Sequence, residues 1–313
     1  MTQEKGAGRN AARHTRLHDR VALIAGAGRG IGEAIALRFA AEGARLVLAA
    51  RTAEELQGVA ERIRSAGGIA HFATADLTVP EQVTNLVQKT IETFGQIDVL
   101  VNAVGTYGPI GRAWEIDAEE WASTFSVNLF GPFLLCQGVL PHMIHKGQGK
   151  IINFSGGGAT SPLCRFSAYG VSKAAVVRFT ETLAEEVKEF NIQVNAIAPG
   201  AVDTKLQDSV LAAGEKAGDL LHRIRRLRET GDGGTPREVP AELAVFLASD
   251  ASGNLTGRLI SAPNDDWRSW SDERLEQIMS KPWFTLRRLD PFTLRPFLEE
   301  MRAEAAAAQA NRR

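Results

Sequence analysis

Val21-Ala22-Leu23-Ile24-Ala25-Gly26-Ala27-Gly28-Arg29-Gly30-Ile31-Gly32 is the stretch that decides the fold. Its opening apolar run reads as a short strand, and the glycines that follow read as a tight turn. The segment from 31 to 41 then repeats Ile31, Ile35, Leu37 and Phe39 at roughly helical spacing before Glu42-Gly43 stops it. Strand, glycine turn and amphipathic helix in that order open a βαβ unit. In such a turn the backbone N–H groups lie open to a pyrophosphate at the positive end of the helix.

Working outward, the alternation continues. Further strands are predicted at 46–49, 69–73, 99–101, 151–154, 194–197 and 259–260. Thr52 with Glu55 reads as a capping box, Pro80 and Gly95 bracket a helix, and Asp117 with Glu120 opens a long helix towards Lys146, with a bend expected at Gly131-Pro132. A second long helix is predicted over 168–190. The expected fold is α/β: a Rossmann-type doubly wound, seven-stranded parallel sheet with helices on both faces. Residues 20–262 form its single domain, preceded by a flexible tail at 1–19 and followed by a C-terminal extension at 263–313.

Composition narrows the partners. The chain has 313 residues, a formal charge of -1 and no clustered Lys/Arg stripe, which argues against nucleic acid. No uninterrupted apolar run approaches bilayer length, and charges occupy the first twenty residues, so no membrane partner is expected and the reading is cytoplasmic. Cys136 and Cys164 are too few for a disulfide framework or a metal site and read as small buried hydrophobes; no metal is expected. A small molecule is the expected partner.

Gly26, Gly30 and Gly32 follow G-x-x-x-G-x-G, a spacing that resembles the short-chain dehydrogenase/reductase family. Where an acidic residue would accept from an NAD ribose, about twenty residues beyond the loop, the second strand ends in Ala49-Ala50-Arg51. Arg51, with Arg29 in the loop, is placed to hold the 2′-phosphate of NADP (NADPH), although Glu54 and Glu55 are close by. The expected coenzyme contacts at this end are Gly26, Gly28, Arg29, Gly30, Ile31, Gly32 and Arg51.

Tyr169 and Lys173 stand four residues apart, on one face of a helix, where an ammonium beside a phenol favours phenolate. The tyrosine is then the general acid of a reduction and the general base of an oxidation. The resemblance, which covers roughly 20–262, extends this set. It implies adenine contacts at Asp76-Leu77, a further cofactor segment at Asn102-Ala103, and a water-holding role for Asn128. It also implies a nicotinamide-side segment around Asn195, with contacts from Pro199, Gly200, Val202 and Thr204, and with Tyr169 and Lys173 touching the coenzyme too. Its substrate-orienting serine falls at Gly156 here, thirteen residues before Tyr169, so Ser155 is the expected replacement, ahead of Ser161 and Ser167.

The activity implied is hydride transfer between nicotinamide and a carbonyl or secondary alcohol. The competing reading is a catalytically idle NADP-binding sensor or scaffold, favoured by the displaced serine. The two long helices carry surplus apolar positions, with Val176, Phe179 and Leu183 as candidates for the interface of a homodimer or homotetramer. The extension holds Trp267, Trp270, Trp283, Phe284, Phe292 and Phe297, too many aromatics to be left in water. It is expected to pack either as a lid over the mouth of the site, its own or a neighbouring subunit's, or across the outer helices.

Overall fold

In the computed structural model, residues 15–288 are described, together with 290, 294, 295, 298, 299 and 302. Parallel strands that are apolar on both faces need cover on both, and the chain supplies it by alternation. β1 (Val21–Ala25) is buried along its whole length. α1 (Gly30–Ala41), β2 (Arg45–Ala50), α2 (Ala53–Ser65), β3 (Ile69–Thr74), α3 (Pro80–Phe94) and β4 (Val99–Asn102) follow. Next come α4 (Ala118–Phe125), α5 (Gly131–Lys146), β5 (Gly149–Phe154), α6 (Ser167–Glu186) and β6 (Ile192–Ala198). The order closes with α7 (Asp208–Ala213), α8 (Asp219–Thr230), α9 (Glu238–Ala248), β7 (Leu259–Ser261) and α10 (Asp272–Ser280).

The sheet has seven strands in the order β3-β2-β1-β4-β5-β6-β7, and every pairing is parallel. Alternate residues of β1 serve opposite faces: Ala22 and Ile24 pack with Phe39 of α1 and Val245 of α9, whereas Leu23 and Ala25 pack with Val83 of α3 and Leu135 of α5. β1 stands between β2 and β4, so the chain's path reverses there. A crevice opens at such a reversal, above the carboxyl ends of the strands.

Of three local expectations, two change and one holds. Thr52 precedes α2 but makes no side-chain cap, and the carboxylate of Glu55 turns away to two cations. Asp117 does cap α4, accepting from the N–H groups of Glu119 and Glu120 at 2.9 Å each. The irregularity expected at Gly131-Pro132 lies one turn earlier, as a π turn at Ser126–Phe130 that runs into α5. Such a turn holds one residue more than an α turn, which relieves the clash between a proline ring and the preceding carbonyl without breaking the helix.

The edges of the body also differ from the sequence reading. Leu17 is fully buried against α1 and β2, and its N–H donates to the Glu42 carbonyl at 3.0 Å, so packing begins before residue 20. Residues 1–14 and the alanine-rich end at 303–313 lie outside the described residues. Cys136 is buried, but Cys164 is exposed on the loop before α6, where no strand or helix covers it. Val176 and Leu183 face the sheet and are buried, so they offer nothing to a second subunit. Phe130, Phe133, Ile144 and Val171 are exposed apolar side chains of the same two helices, with Phe179 edge-on to Phe133 at 6.0 Å.

After β7 the chain folds back along the sheet edge. Trp267 is buried against Phe246 of α9, its indole N–H donating to the Ala262 carbonyl at 3.1 Å. Trp270 lies between Phe246 and Phe284. Arg258 donates to the carbonyls of Ile278 and Lys281 at 3.1 Å, where the end of α10 leaves acceptors free. Glu181 of α6 accepts from the Leu286 N–H at 2.5 Å and from Arg287 at 3.2 Å. The two tryptophans pack on the outer face and do not line this chain's own cleft; Phe292 and Phe297 lie outside the described residues.

Candidate active site

The crevice above β1 and β4 is a cleft of ≈ 310 Å³ running from Arg51 and Asp76 at one end to Tyr169 and Lys173 at the other. Its floor is the glycine loop. A Cβ on Gly26 would come within 2.7 Å of the Ala103 carbonyl oxygen, and one on Gly32 would overlap the Gly26 carbonyl. Gly26 and Gly30 have φ of +82° and +60°, which side chains resist. The loop is thus pressed onto β4 and α1, leaving a cradle of backbone at the N-terminus of α1, which suits a pyrophosphate.

The cleft gathers most of the residues that the sequence singles out. Gly28, Arg29 and Ile31 join the floor; Leu77, Ala103, Pro199 and Thr204 form the walls; Ser155 faces the inner end. Asp76 is held by the Thr78 N–H at 2.9 Å and the Thr78 hydroxyl at 2.7 Å, and those hydrogen bonds, the N–H first, keep its carboxyl below the usual range.

Asn102, Asn128, Gly200 and Val202 do not line the cleft. Asn102 donates to Asn153 Oδ1 at 2.9 Å and so ties β4 to β5. Gly200 turns the chain at φ +82°, where a Cβ would overlap the Thr235 hydroxyl. The Val202 carbonyl accepts from Gln207 at 3.3 Å. Asn195 likewise braces its neighbourhood, donating to the Leu255 carbonyl at 2.7 Å and accepting from the Arg258 N–H at 3.1 Å. Asn128 sits in the π turn, fully buried; it exchanges hydrogen bonds with the Thr106 backbone at 2.8 and 2.9 Å and donates to Ser172 at 2.9 Å. Its side chain pins the loop after β4 to α6, the helix that carries Tyr169.

At the inner end, Lys173 Nζ donates to the Phe154 carbonyl at 2.9 Å and to the Val104 carbonyl at 3.4 Å. It stands 5.9 Å from the centre of the Tyr169 ring. Burial brings the ammonium down to about 8. The phenol of Tyr169 is pushed well above its ordinary range, first by burial and then by Tyr107, whose ring meets it edge-on at 4.6 Å. Burial outweighs the lysine in the protein alone, with Nζ turned to the two carbonyls; the lowering expected of this phenol calls on the positive nicotinamide ring as well as on the lysine. At neutral pH the site therefore holds a protonated phenol beside a cation.

Ser155 Oγ is buried and has no hydrogen-bond partner, whereas Gly156 lies directly beneath the Tyr169 hydroxyl. An unpaired buried hydroxyl facing a cleft is costly unless something that enters the cleft satisfies it. Ser161 and Ser167 do not line the cleft, and Ser167 instead accepts from the Trp121 indole at 3.1 Å. Two residues near the site escaped the sequence reading. Tyr107 completes the wall behind Tyr169, its hydroxyl donating to Gln207 at 3.1 Å, and Lys205 reaches over the glycine loop to Glu55 at 3.2 Å. A cation directly after Thr204 was the available signal for Lys205.

Among the described residues there is no group of three or more His, Cys, Asp or Glu side chains placed to hold a metal ion. Comparison with known proteins agrees with the architecture. An uncharacterized oxidoreductase of Mycobacterium tuberculosis is 38% identical over 246 residues, which is 78% of this chain and 91% of that one. A crystallised 7α-hydroxysteroid dehydrogenase in complex with NADH and 7-oxo glycochenodeoxycholic acid superposes with a TM-score of 0.71 at 30% identity, covering 79% of this chain and 94% of that one. A gluconate 5-dehydrogenase from Burkholderia cenocepacia, in complex with NADP and tartrate, gives a TM-score of 0.70 at 30% identity, covering 79% and 95%. The short chain dehydrogenase profile matches residues 20–214, and the chain belongs to that family of oxidoreductases, the short-chain dehydrogenases/reductases.

Proposed function

We propose that this oxidoreductase is NADP-dependent and moves a hydride between the nicotinamide and a carbonyl or secondary alcohol, with Tyr169 as the proton donor and acceptor. The observation that carries this reading is the meeting, in one cleft, of a glycine cradle with Tyr169, Lys173 and an unpaired Ser155 hydroxyl. When bound there, the coenzyme supplies or accepts the hydride. Tyr169 gives its proton to the substrate oxygen in reduction and recovers it in oxidation. Lys173 keeps a positive charge beside the phenolate that results. Ser155 donates to the substrate oxygen and fixes its distance from Tyr169. Asn128 is a positioning residue, acting through Thr106 and α6.

Arg29 and Arg51, at the far end of the cleft, support NADP over NAD through charge-assisted hydrogen bonds to a 2′-phosphate. The relatives bound to NADH and to NADP leave both coenzymes open by likeness, so the arginines carry the preference. The exposed Phe130, Phe133 and Val171 support homo-oligomerisation through α5 and α6, which light scattering measures.

The deciding experiment is a panel of carbonyls and secondary alcohols followed by nicotinamide absorbance, with Tyr169→Phe alongside. Turnover that the Phe variant loses, with NADPH affinity kept within about twofold, is the expected result. Tight NADPH binding without turnover across the panel would favour the idle sensor or scaffold instead.

A further inference from the structure

Glu55 lies between two cations from opposite walls of the cleft. Arg29 Nη1, in the glycine loop, donates to Glu55 Oε1 at 3.2 Å, and Lys205 Nζ, from the turn after β6, reaches the same oxygen at 3.2 Å. The walls are close here: a Cβ on Gly30 would meet the Thr204 methyl at 3.2 Å. The carboxylate also leans over the loop, since a Cβ on Gly28 would come within 3.2 Å of Glu55 Oε2. Arg29, Arg51, Glu55 and Lys205 all line the coenzyme cleft.

This arrangement conflicts with the simple view that two arginines wait for a phosphate. Arg29 already has an anion, and a 2′-phosphate arriving beside Glu55 would meet like-charge repulsion. The conflict has a built-in exit. Glu55 is bound at a single oxygen by both cations, so Lys205 can keep hold of that oxygen when Arg29 turns to another anion. We propose that Glu55 sets the coenzyme preference by competing with the adenosine 2′-phosphate for Arg29, and that Lys205 is the alternative partner that draws Glu55 aside and lets the phosphate in. The exchange is easy in energetic terms. Arg29 and Lys205 side chains are 54% and 63% exposed, and ion pairs so open to water hold weakly, whereas a phosphate dianion binds a guanidinium with short, charge-assisted hydrogen bonds.

The inference rests on the NADP reading above and refines it: selectivity belongs to a triad of charges rather than to Arg29 and Arg51 alone. It also makes a demand on epistasis. If Lys205 works only by holding Glu55, its removal should matter only while Glu55 is charged. If Lys205 touched the phosphate directly, its loss would weaken NADPH whatever stood at position 55.

The test is the dissociation constants of NADPH and NADH, read from nicotinamide fluorescence, for the unaltered protein, Lys205→Ala, Glu55→Gln and the double variant. Lys205→Ala is expected to weaken NADPH about tenfold more than NADH, the scale of one charged hydrogen bond. Glu55→Gln is expected to tighten NADPH relative to NADH, and the double variant to bind NADPH as tightly as Glu55→Gln alone. NADH binding reports in each case that the cleft is folded. A double variant as weak as Lys205→Ala, or a Lys205→Ala that affects both coenzymes alike, overturns the role given to Glu55 and Lys205 while leaving an NADPH preference intact. An unaltered protein that prefers NADH overturns the coenzyme assignment itself, and the competition with it.

Discussion

The hydroxyl of Tyr169 rests on Gly156, so closely that a Cβ on the glycine would overlap the phenolic oxygen. The resemblance to the family implies a serine at this position, but here the tyrosine hydroxyl fills the space such a side chain would need. Restoring the serine should therefore harm the enzyme. Gly156→Ser is expected to cost about 1–3 kcal/mol of stability by overpacking. It should also lower kcat by at least about tenfold as Tyr169 is displaced from its place beside Lys173. Melting temperature and steady-state rates check both, and a serine variant of full stability and activity would refute the packing argument.

Ser155 is the remaining hydroxyl at the inner end of the cleft, buried and unpaired. Ser155→Ala is expected to lower kcat more than Ser161→Ala or Ser167→Ala, while removing no hydrogen bond from the resting protein. Its melting temperature should accordingly stay the same or rise. The opposite ranking in kcat would assign the substrate contact to one of the later serines.

Lys173, brought down to about 8 by burial, gives a proton linkage of definite sign. An anionic coenzyme entering its cleft favours the charged lysine and so raises its proton affinity. Near pH 8 and above, NADPH binding should take up protons, and affinity should fall as pH rises through about 8. Titration calorimetry in buffers of different ionisation enthalpy measures the uptake. Lys173→Met should abolish it, and an uptake that survives that change would place the linkage elsewhere.

The extension is expected to stabilise the body. Trp267 is fully packed between α9 and the turn after β7, so Trp267→Ala is expected to cost about 3–5 kcal/mol. Substrate KM should stay near that of the parent enzyme, since the indole lines no part of the cleft. A changed KM with unchanged melting would revive a lid.

Much of this architecture is legible in the sequence because it is local. Gly26, Gly30 and Gly32 follow a strand and precede a helix, and Tyr169 and Lys173 sit one turn apart; both patterns survive folding unaltered. What the sequence conceals depends on distant partners. Glu55 has the spacing of a capping residue, yet cations at 29 and 205 claim it. Val176 and Leu183 look spare until β5 and β6 arrive to bury them. The π turn has no signature beyond a proline that must be accommodated, and Asn128 gains its meaning only when Thr106 and Ser172 come to it from other segments. The burial that raises the Tyr169 phenol was hidden for the same reason, since it and the neighbouring Tyr107 ring are tertiary facts.

α6 carries Tyr169 near its beginning and Glu181, the anchor of the extension, twelve residues further on. At the rise of an α-helix the two stand about 18 Å apart along one rigid rod. The reacting end and the anchor of the extension thus occupy opposite ends of the same beam. A change at the anchor reaches the tyrosine only along that rod, so it should show first as lost stability and only later as lost chemistry.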